Sequence, residues 1–244
     1  MPERCTTEAI ALLQARTGSK RLPGKALLEV SGRPLLWYVV QALKNSPAVG
    51  TIVLATSDTQ ADDRLTELAA SWGIESFRGS ENDVLSRMAG AARRFPAPYY
   101  FRATGDNPLI DTENPRRTLR RLIENALDYC AEKGLPHGAI VEAFTAEALQ
   151  KADQEAVSAA DREHVTTYIK QSPTFSKAFP RAPAELRFPS LSLSVDTAED
   201  FSRVASILLE LYREKPPTFR EVLKHQLEKR PPAKDNCQAK LEMS

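Results

Sequence analysis

The sequence lacks the features that would suit it to a membrane, a secreted state or a nucleic-acid surface. Polar residues are scattered throughout, so no stretch approaches the about 18 consecutive apolar residues that a membrane-spanning helix requires. The opening segment Met1–Arg4 has none of the apolar character of a secretory signal peptide, and we expect a cytoplasmic protein. Because the formal net charge is only +1, no binding to nucleic acid or to a membrane surface is expected, and any basic site must be local.

Cysteine is also scarce. The three residues Cys5, Cys130 and Cys237 lie far apart, are odd in number and form no CxxC pair. A disulfide framework and a zinc site both need closer or paired cysteines, so neither is indicated, and we interpret all three as plain thiols.

The chain is long and apolar enough to fold around one large core. Its 244 residues are 42% hydrophobic, which allows that core and at most a small subdomain. Strand-like and helix-like segments alternate through the first half. The predicted strands are Ile10–Gln14, Thr51–Ala55, Glu75–Arg78 and Tyr99–Thr104, and the predicted helices between them are Pro34–Leu43, Asp62–Trp72 and Asn82–Arg94. This alternation predicts an α/β fold with a mostly parallel sheet covered by helices on both faces.

The second half is less regular. It contains one further predicted strand, Leu191–Val195, and the predicted helices Asn114–Leu127, Thr145–Asp153, Asp161–Gln171 and Ala198–Tyr212. The arginines of the first of these helices are interpreted as a solvated face. We expect Gly134–Pro189 to form a lid or arm over a site, and the polar tail after Lys229 to be poorly ordered.

A basic loop follows the first predicted strand, at the sheet edge where open parallel sheets bind ligands. Gly18 and Gly24 let the backbone turn with its N–H groups exposed, Arg16 offers a bidentate fork and Lys25 a point charge, which together suit a triphosphate. The loop is not a Walker motif, because five residues separate its glycines and Ala26 follows the lysine. The dinucleotide signature GxGxxG is also absent, and an ordinary solvated loop remains the alternative.

Two aspartates follow other strand-like segments and are candidate metal ligands. Asp106, next to Gly105 in "RATGDNPLI", can hold Mg²⁺ on phosphate oxygens, although Asp-Asn-Pro is also a common turn. Asp196 in "LSLSVDTAEDF" has the same potential, although Asp196 or Thr197 could simply cap the next helix. Because Mg²⁺ prefers few protein carboxylates together with substrate oxygens, two converging aspartates would meet the need of a polyphosphate site.

Five segments together carry a resemblance to a known family: "QARTGSKRLPGK", "RGSENDVLSR", "RATGDNPLID", "DREHVT" and "SVDTAEDF". They resemble the cytidylyltransferases that activate sugar acids, most closely the branch named after spore coat polysaccharide biosynthesis protein F. The resemblance covers about Ala9 to Leu211. It implies a three-layer α/β/α nucleotidyltransferase fold, Rossmann-like and GT-A-like, with a small insertion for the substrate and for dimerisation. It also implies transfer of CMP from CTP to an acceptor oxygen, with release of pyrophosphate.

The resemblance further implies roles for individual residues. Arg16 and Lys25 would be catalytic, holding the triphosphate and offsetting charge in the transition state, and Asp106 and Asp196 would bind Mg²⁺. The implied nucleotide-binding residues are Gln14, Ala15, Arg16, Gly18, Ser19, Lys25, Gly79, Ser80, Asp83, Thr104 and Gly105. Of these, Gly79, Ser80 and Asp83 would lie against the cytosine, unless they form only a turn and a helix cap.

The acceptor half of the resemblance involves Glu142, Arg162, Glu163 and His164. His164 could assist deprotonation of an acceptor hydroxyl, and Arg162 could anchor an acidic group, although a lone histidine on a helix is more often without a catalytic role. The family's usual "LPDGLDVE" appears here as "LPHGAIVE", which leaves the acceptor open between sugar acids, phosphonates and phosphates.

At the level of domains, the resemblance implies one nucleotidyltransferase domain over residues 1–229. The nucleotide half would lie at about residues 9–110, and an arm at about 134–190 would reach between the subunits of a homodimer. Two other function classes stay open. A GT-A-like glycosyltransferase would normally show a DxD pair where this chain has Asp106-Asn107-Pro108, and a nucleotide-binding regulatory subunit without turnover would not need both aspartates.

Overall fold

The computed structural model describes residues 9–229. In this range the β-strands are β1 (Ala9–Gln14), β2 (Glu29–Val30), β3 (Arg33–Pro34), β4 (Val49–Ser57), β5 (Glu75–Gly79), β6 (Tyr99–Thr104), β7 (Tyr129–Cys130), β8 (Glu142–Thr145) and β9 (Lys177–Ala178). The α-helices are α1 (Leu35–Lys44), α2 (Asp63–Ser71), α3 (Val84–Arg94), α4 (Asn114–Glu124), α5 (Ala146–Glu155), α6 (Ala159–His164), α7 (Thr167–Gln171), α8 (Ala198–Leu211) and α9 (Phe219–Glu228). The prediction of a poorly ordered tail concerns residues outside this range.

Seven strands form one sheet in the order β5-β4-β1-β6-β8-β7-β9. The strands β5, β4, β1 and β6 are mutually parallel, β8 runs antiparallel to both β6 and β7, and β9 is parallel to β7. In the register of the centre, Gln14 at the end of β1 lies opposite Thr104 at the end of β6. The loops that follow these two strands therefore start side by side.

Helices cover the sheet on both faces, which confirms the predicted three-layer α/β architecture. The apolar side chains of α1, α2 and α4 pack on one face and those of α3, α5 and α7 on the other. Consecutive residues of β1, such as Leu12 and Leu13, are both fully buried because successive side chains point to opposite faces. A third apolar cluster joins α8 and α9 to one end of the sheet through residues such as Leu35, Val204 and Phe219.

Two element predictions were wrong. Leu191–Val195 is not a strand, because its backbone bonds go to two separate segments: Leu193 N–H donates to the His137 carbonyl (2.7 Å) and Val195 N–H to the Asp106 carbonyl (2.9 Å). The predicted helix Asp161–Gln171 is two helices, α6 and α7, separated at Val165, where φ is 60°. A positive φ in a β-branched residue cannot occur within a right-handed helix.

The region predicted as an arm contributes to the main sheet. Its strands β8 and β9 are short, and pair with β6 and β7. Among residues 9–229, none of the helices combines the length and apolar character needed to cross a membrane.

Candidate active site

A cleft of about 380 Å³ opens where β1 and β6 end. Its walls are formed by Gln14, Ala15, Arg16, Gly18, Ser19, Lys20, Arg21, Lys25, Ala26, Arg102, Thr104, Gly105, Asp106, Glu163, His164 and Asp196. The basic loop thus faces both candidate metal ligands across one space. Most residues predicted to bind the nucleotide, and two of the four predicted to bind the acceptor, line this cleft.

Lys25 connects three distant parts of the chain. Its Nζ donates to Asp106 Oδ2 (2.6 Å), to Asp196 Oδ1 (3.0 Å) and to the carbonyl oxygen of Val195 (2.8 Å). The side chain is only 15% exposed, so these interactions are weakly screened by solvent. Both carboxylates therefore point at one place, with the ammonium group between them.

The backbone around each aspartate leaves its carboxylate facing the cleft. Thr104 Oγ1 donates to Asp106 Oδ1 (2.6 Å), which orients the Asp106 side chain from the end of β6. At the start of α8, Thr197 and Asp200 form a capping box. The structure thus gives the capping role to Thr197, and Asp196 pairs instead with Lys25 and with Arg21 Nη2 (3.1 Å).

The donor set at Asp106 and Asp196 fits a magnesium ion bound together with a polyphosphate. Across residues 9–229, no group of three or more His, Cys, Asp and Glu side chains is arranged to hold a metal. Mg²⁺, however, is bound through one or two carboxylates plus substrate phosphates rather than by an all-protein cage. Two carboxylates that already share one cation, Lys25, match that requirement.

A buried carboxylate anchors the basic loop. Asp62, only 1% exposed, accepts hydrogen bonds from the Thr17 backbone N–H (2.8 Å) and Oγ1 (2.6 Å), and from Thr56 and Ser57 in β4. Burial alone raises the pKa of Asp62, but the hydrogen bonds from Ser57, Thr17 and Thr56 outweigh it, so the pKa lies below its ordinary value. This anchor fixes the loop's start against β4.

Arg16 extends from the same loop toward the segment between β5 and α3. Its Nη1 donates to the Glu81 carbonyl oxygen (3.3 Å) and lies 3.5 Å from the Glu81 carboxylate. Arg87, almost fully buried, donates to the Ser80 carbonyl oxygen (2.5 Å). Burial and the nearby charge of Arg16 lower the pKa of Arg87 to about 10. Two guanidinium groups thus hold the Ser80–Glu81 backbone next to the cleft.

The residues predicted to contact cytosine lie within or next to this segment. Gly79, Ser80 and Asp83 are not part of the cleft wall. Asp83 caps α3 by accepting from Ser86 N–H (2.9 Å), as the alternative interpretation expects, and it also receives Arg162. Base binding by these three residues stays a prediction.

The four predicted acceptor residues divide into two pairs. Glu163 and His164, at the end of α6, line the cleft. Arg162 does not, because its guanidinium is held by Asp83 (2.6 Å) and Asp153 (2.8 Å), which ties α6 to α3 and α5. Glu142 lies behind the wall, where it pairs with Arg102 and Lys170. Arg162 and Glu142 thus both pair with other side chains of the protein, and acceptor binding by these two residues stays a prediction.

Arg102 lines the cleft but is not among the site residues predicted from the sequence. It lies in β6 between buried apolar residues, in "YYFRAT", where a charged residue is unusual. A lone arginine in an otherwise apolar strand that ends at a candidate site was the available signal. Asp62 was missed for a different reason, since its partners in the loop and in β4 become visible only in the folded chain.

A family model described as Cytidylyltransferase matches residues 10–230. An uncharacterised protein of Methanocaldococcus jannaschii is 39% identical over 79% of this chain and 79% of its own length. The spore coat polysaccharide biosynthesis protein SpsF of Bacillus subtilis is 32% identical over 82% of this chain and 86% of its own. The solved structure of a cytidylyltransferase from Leptospira borgpetersenii superposes with a TM-score of 0.84 at 27% identity, covering 91% of this chain and 94% of that one.

Proposed function

The chain belongs to the cytidylyltransferase family and is a nucleotidyltransferase; on this premise we propose that it transfers CMP from CTP to a small acidic acceptor, releasing pyrophosphate. In this proposal the acceptor is a sugar acid, such as a 3-deoxy-ulosonic or nonulosonic acid. The name of the Bacillus subtilis relative, which refers to spore coat polysaccharide biosynthesis, supports a role in making a surface polysaccharide. We also propose a cytoplasmic homodimer in which residues 134–190 reach between subunits.

One observation carries the proposal: the ammonium group of Lys25 lies within hydrogen-bond distance of both Asp106 and Asp196. The cleft around this contact also holds Arg16, Lys20 and Arg21. Such a concentration of cations beside two carboxylates suits a nucleoside triphosphate with its metal ion, because the phosphates need positive charge and the metal needs oxygen ligands.

Asp106 and Asp196 are the residues that would hold Mg²⁺. When bound there, the ion would offset the charge of the phosphates and make the α-phosphorus more electrophilic. With the metal ion bound, Lys25 would turn from the aspartates toward the phosphates. Its ammonium group and the guanidinium of Arg16 would then bind phosphate oxygens and stabilise the charge that develops on them. The backbone N–H group of Gly18 in the loop would support the same oxygens.

In the proposed reaction an acceptor hydroxyl oxygen attacks the α-phosphorus of CTP. The new phosphorus–oxygen bond forms while the bond to the bridging oxygen of the β-phosphate breaks, and pyrophosphate leaves with that electron pair. In this proposal His164, which is exposed at the rim of the cleft, would take the hydroxyl proton.

The test is to incubate the protein with CTP, Mg²⁺ and a panel of sugar acids, phosphonates and phosphate monoesters. We expect pyrophosphate release and a CMP-linked product by mass spectrometry with a sugar acid. If a product forms only from a phosphonate or a phosphate monoester, that compound class is the acceptor and the sugar acid is not. Consumption of ATP or GTP instead of CTP would contradict the choice of nucleotide, and nucleotide binding without turnover would favour a regulatory subunit.

A further inference from the structure

Arg102 presents an incompletely satisfied guanidinium to the cleft. Its Nη2 donates to Gln14 Oε1 (3.2 Å) and its Nη1 to Glu142 Oε2 (3.2 Å). The Nε atom is buried and has no hydrogen-bond partner among the described residues. A guanidinium has five N–H donors, and because Nε is buried, the donors open to a ligand are the remaining hydrogens of Nη1 and Nη2.

The charges around Arg102 do not balance. Glu142, whose side chain is 12% exposed, pairs with both Arg102 and Lys170, so one carboxylate faces two cations. Glu163 lines the same cleft but is exposed at its rim. Lys170 is 36% exposed and is partly neutralised by solvent, whereas Arg102 is only 18% exposed, so an anion in the cleft would stabilise the excess positive charge at Arg102.

Glu142 has no capacity left for a ligand. Besides the two cations, it accepts hydrogen bonds from Tyr129 (2.6 Å) and Thr166 (2.9 Å). Burial alone raises the pKa of Glu142, but the charges of Arg102 and Lys170 and the bonds from Lys170 and Tyr129 outweigh it and lower the pKa to about 2. Glu142 is thus a permanent anion that positions Arg102.

A strained turn at Val165 fixes the position of His164, which lines the same cleft as Arg102. Val165 is fully buried with φ 60° and ψ −62°, and Thr166 N–H donates to the His164 carbonyl oxygen (2.6 Å), which closes a γ-turn of the strained kind. The next residue is Thr166, which donates to Glu142. Glu142 thus holds both Arg102 and the residue that follows the turn. The positions of Arg102 and His164 in the cleft are therefore fixed relative to each other.

We propose that Arg102 binds the carboxylate of the acceptor and so selects an acid over a neutral sugar, with Gln14 and Glu142 as positioning residues. The inference rests on the proposed function and names the group by which that site recognises its substrate. The planar fork matches a carboxylate, and Arg102 and Thr104 share one face of β6 about 7 Å apart, so the acid lies next to the phosphate-binding end.

The test compares acids with neutral analogues of the same shape. The probes are 3-deoxy-manno-octulosonate and N-acetylneuraminate, each beside its carboxamide, with pyrophosphate release as the readout. Arg102→Gln is expected to raise the KM for the acid about 10- to 100-fold, as loss of a hydrogen bond to a charged group does. The KM for CTP should stay near the wild-type value, and the preference for acid over amide should largely disappear. Arg64→Gln, at an exposed surface pair, is the control.

Two further variants distinguish a loss of acid recognition from a loss of folding. Arg102→Lys keeps the charge but loses the fork, so it should fold and retain part of the preference for the acid. Glu142→Gln should raise the acid's KM while Lys25-dependent CTP binding persists. If the Arg102 variants prefer the acid as strongly as the wild type, the inference is wrong and the proposed function stands. If the wild-type protein uses neither acid, the sugar-acid proposal fails and this inference fails with it.

Discussion

At the scale of single residues, the cleft is a balance of charges set by Lys25. One ammonium group lies between the carboxylates of Asp106 and Asp196, and Arg21 adds a second cation to Asp196. Neither carboxylate can lose its counter-charge without leaving an unbalanced negative group in a half-buried site. The same three side chains therefore serve the stability of the apo cleft and, in the proposed function, the chemistry.

Replacing Asp106 by alanine tests the metal role. We expect Asp106→Ala to lower kcat by at least about 100-fold, since charge stabilisation in the transition state is lost, while the protein remains folded. Pyrophosphate release with CTP and Mg²⁺ measures the first effect and circular dichroism the second. Activity close to that of the wild type would remove Asp106 from the metal site.

Replacing Lys25 by methionine tests the phosphate role. Lys25→Met keeps the length of the side chain but removes its charge, and kcat should fall about 100- to 1,000-fold, as when one preorganised donor is deleted. Lys224→Met is the matched control, because Lys224 is 77% exposed and distant from the cleft wall. Equal activities in the two variants would contradict a catalytic Lys25.

At the scale of elements, two packing details hold the loops that form the cleft. Asp62 fastens the start of the basic loop to β4 through five accepted hydrogen bonds. Gly105 lets the end of β6 lie against β1, since a Cβ there would be 2.8 Å from Ala15 Cβ and 3.0 Å from Leu36 Cδ1. Neither residue needs to touch a ligand to affect the site.

Asp62→Asn should destabilise the protein by about 3 kcal/mol at neutral pH, because a buried acceptor of hydrogen bonds becomes partly a donor. The folded-state pKa of Asp62 is lowered, so its contribution is complete above the ordinary pKa of 3.8 and is lost as pH falls through the lower folded value. Urea unfolding of both proteins across this range measures the difference. If the difference in the free energy of unfolding between the two proteins grew as the pH falls, the result would contradict a lowered pKa of Asp62.

Gly105→Ala should cost about 1–3 kcal/mol through overpacking and should raise the KM for CTP by displacing the loop after β1. The double variant Gly105→Ala/Ala15→Gly removes the closest clashing atom and should recover part of the stability. Thermal unfolding and CTP titration measure the two effects. Without any recovery in the double variant, the close contact with Ala15 would not be the cause.

At the scale of the whole molecule, the cleft is assembled from segments that span nearly the entire described chain. Gln14, Arg102, His164 and Asp196 meet in one wall although they lie far apart in the sequence. Gln14 and Arg102 belong to the neighbouring strands β1 and β6, His164 ends α6, and Asp196 directly precedes the cap of α8. A ligand that contacts several segments at once must therefore stabilise the fold as a unit.

CTP with Mg²⁺ should raise the melting temperature. At about 100 times the dissociation constant, binding to the native state contributes about 2.7 kcal/mol, which corresponds to about 5–10 °C for a domain of this size. ATP at the same concentration should change the melting temperature little. The Asp106→Ala variant should lose the part of the CTP-induced shift that depends on Mg²⁺. Differential scanning fluorimetry checks all three, and an equal shift with ATP would contradict selectivity for cytosine.

Much of the site was predictable because it lies where strands end. The apolar segments before Arg16 and Asp106 indicate strands, and parallel strands end at one edge, so the basic loop and Asp106 had to be neighbours. Asp196 was also predicted, although the segment before it is irregular, because its motif is carried by the turn into α8 and does not depend on the strand.

Local sequence therefore determines the four parallel strands β1, β4, β5 and β6, the basic loop and the cap of α8, since periodicity, glycines and capping residues act over a few positions. The short strands β7, β8 and β9 were not predicted from it. The pairing of Glu142 with Arg102 and Lys170, the holding of Arg162 by Asp83, and the break at Val165 were decided by tertiary structure. The two charge pairings depend on which charges lie opposite each other after the chain has folded, and the turn at Val165 precedes the contact of Thr166 with Glu142. No pattern of neighbouring residues encodes that information, because the partners are 28 to 79 residues apart.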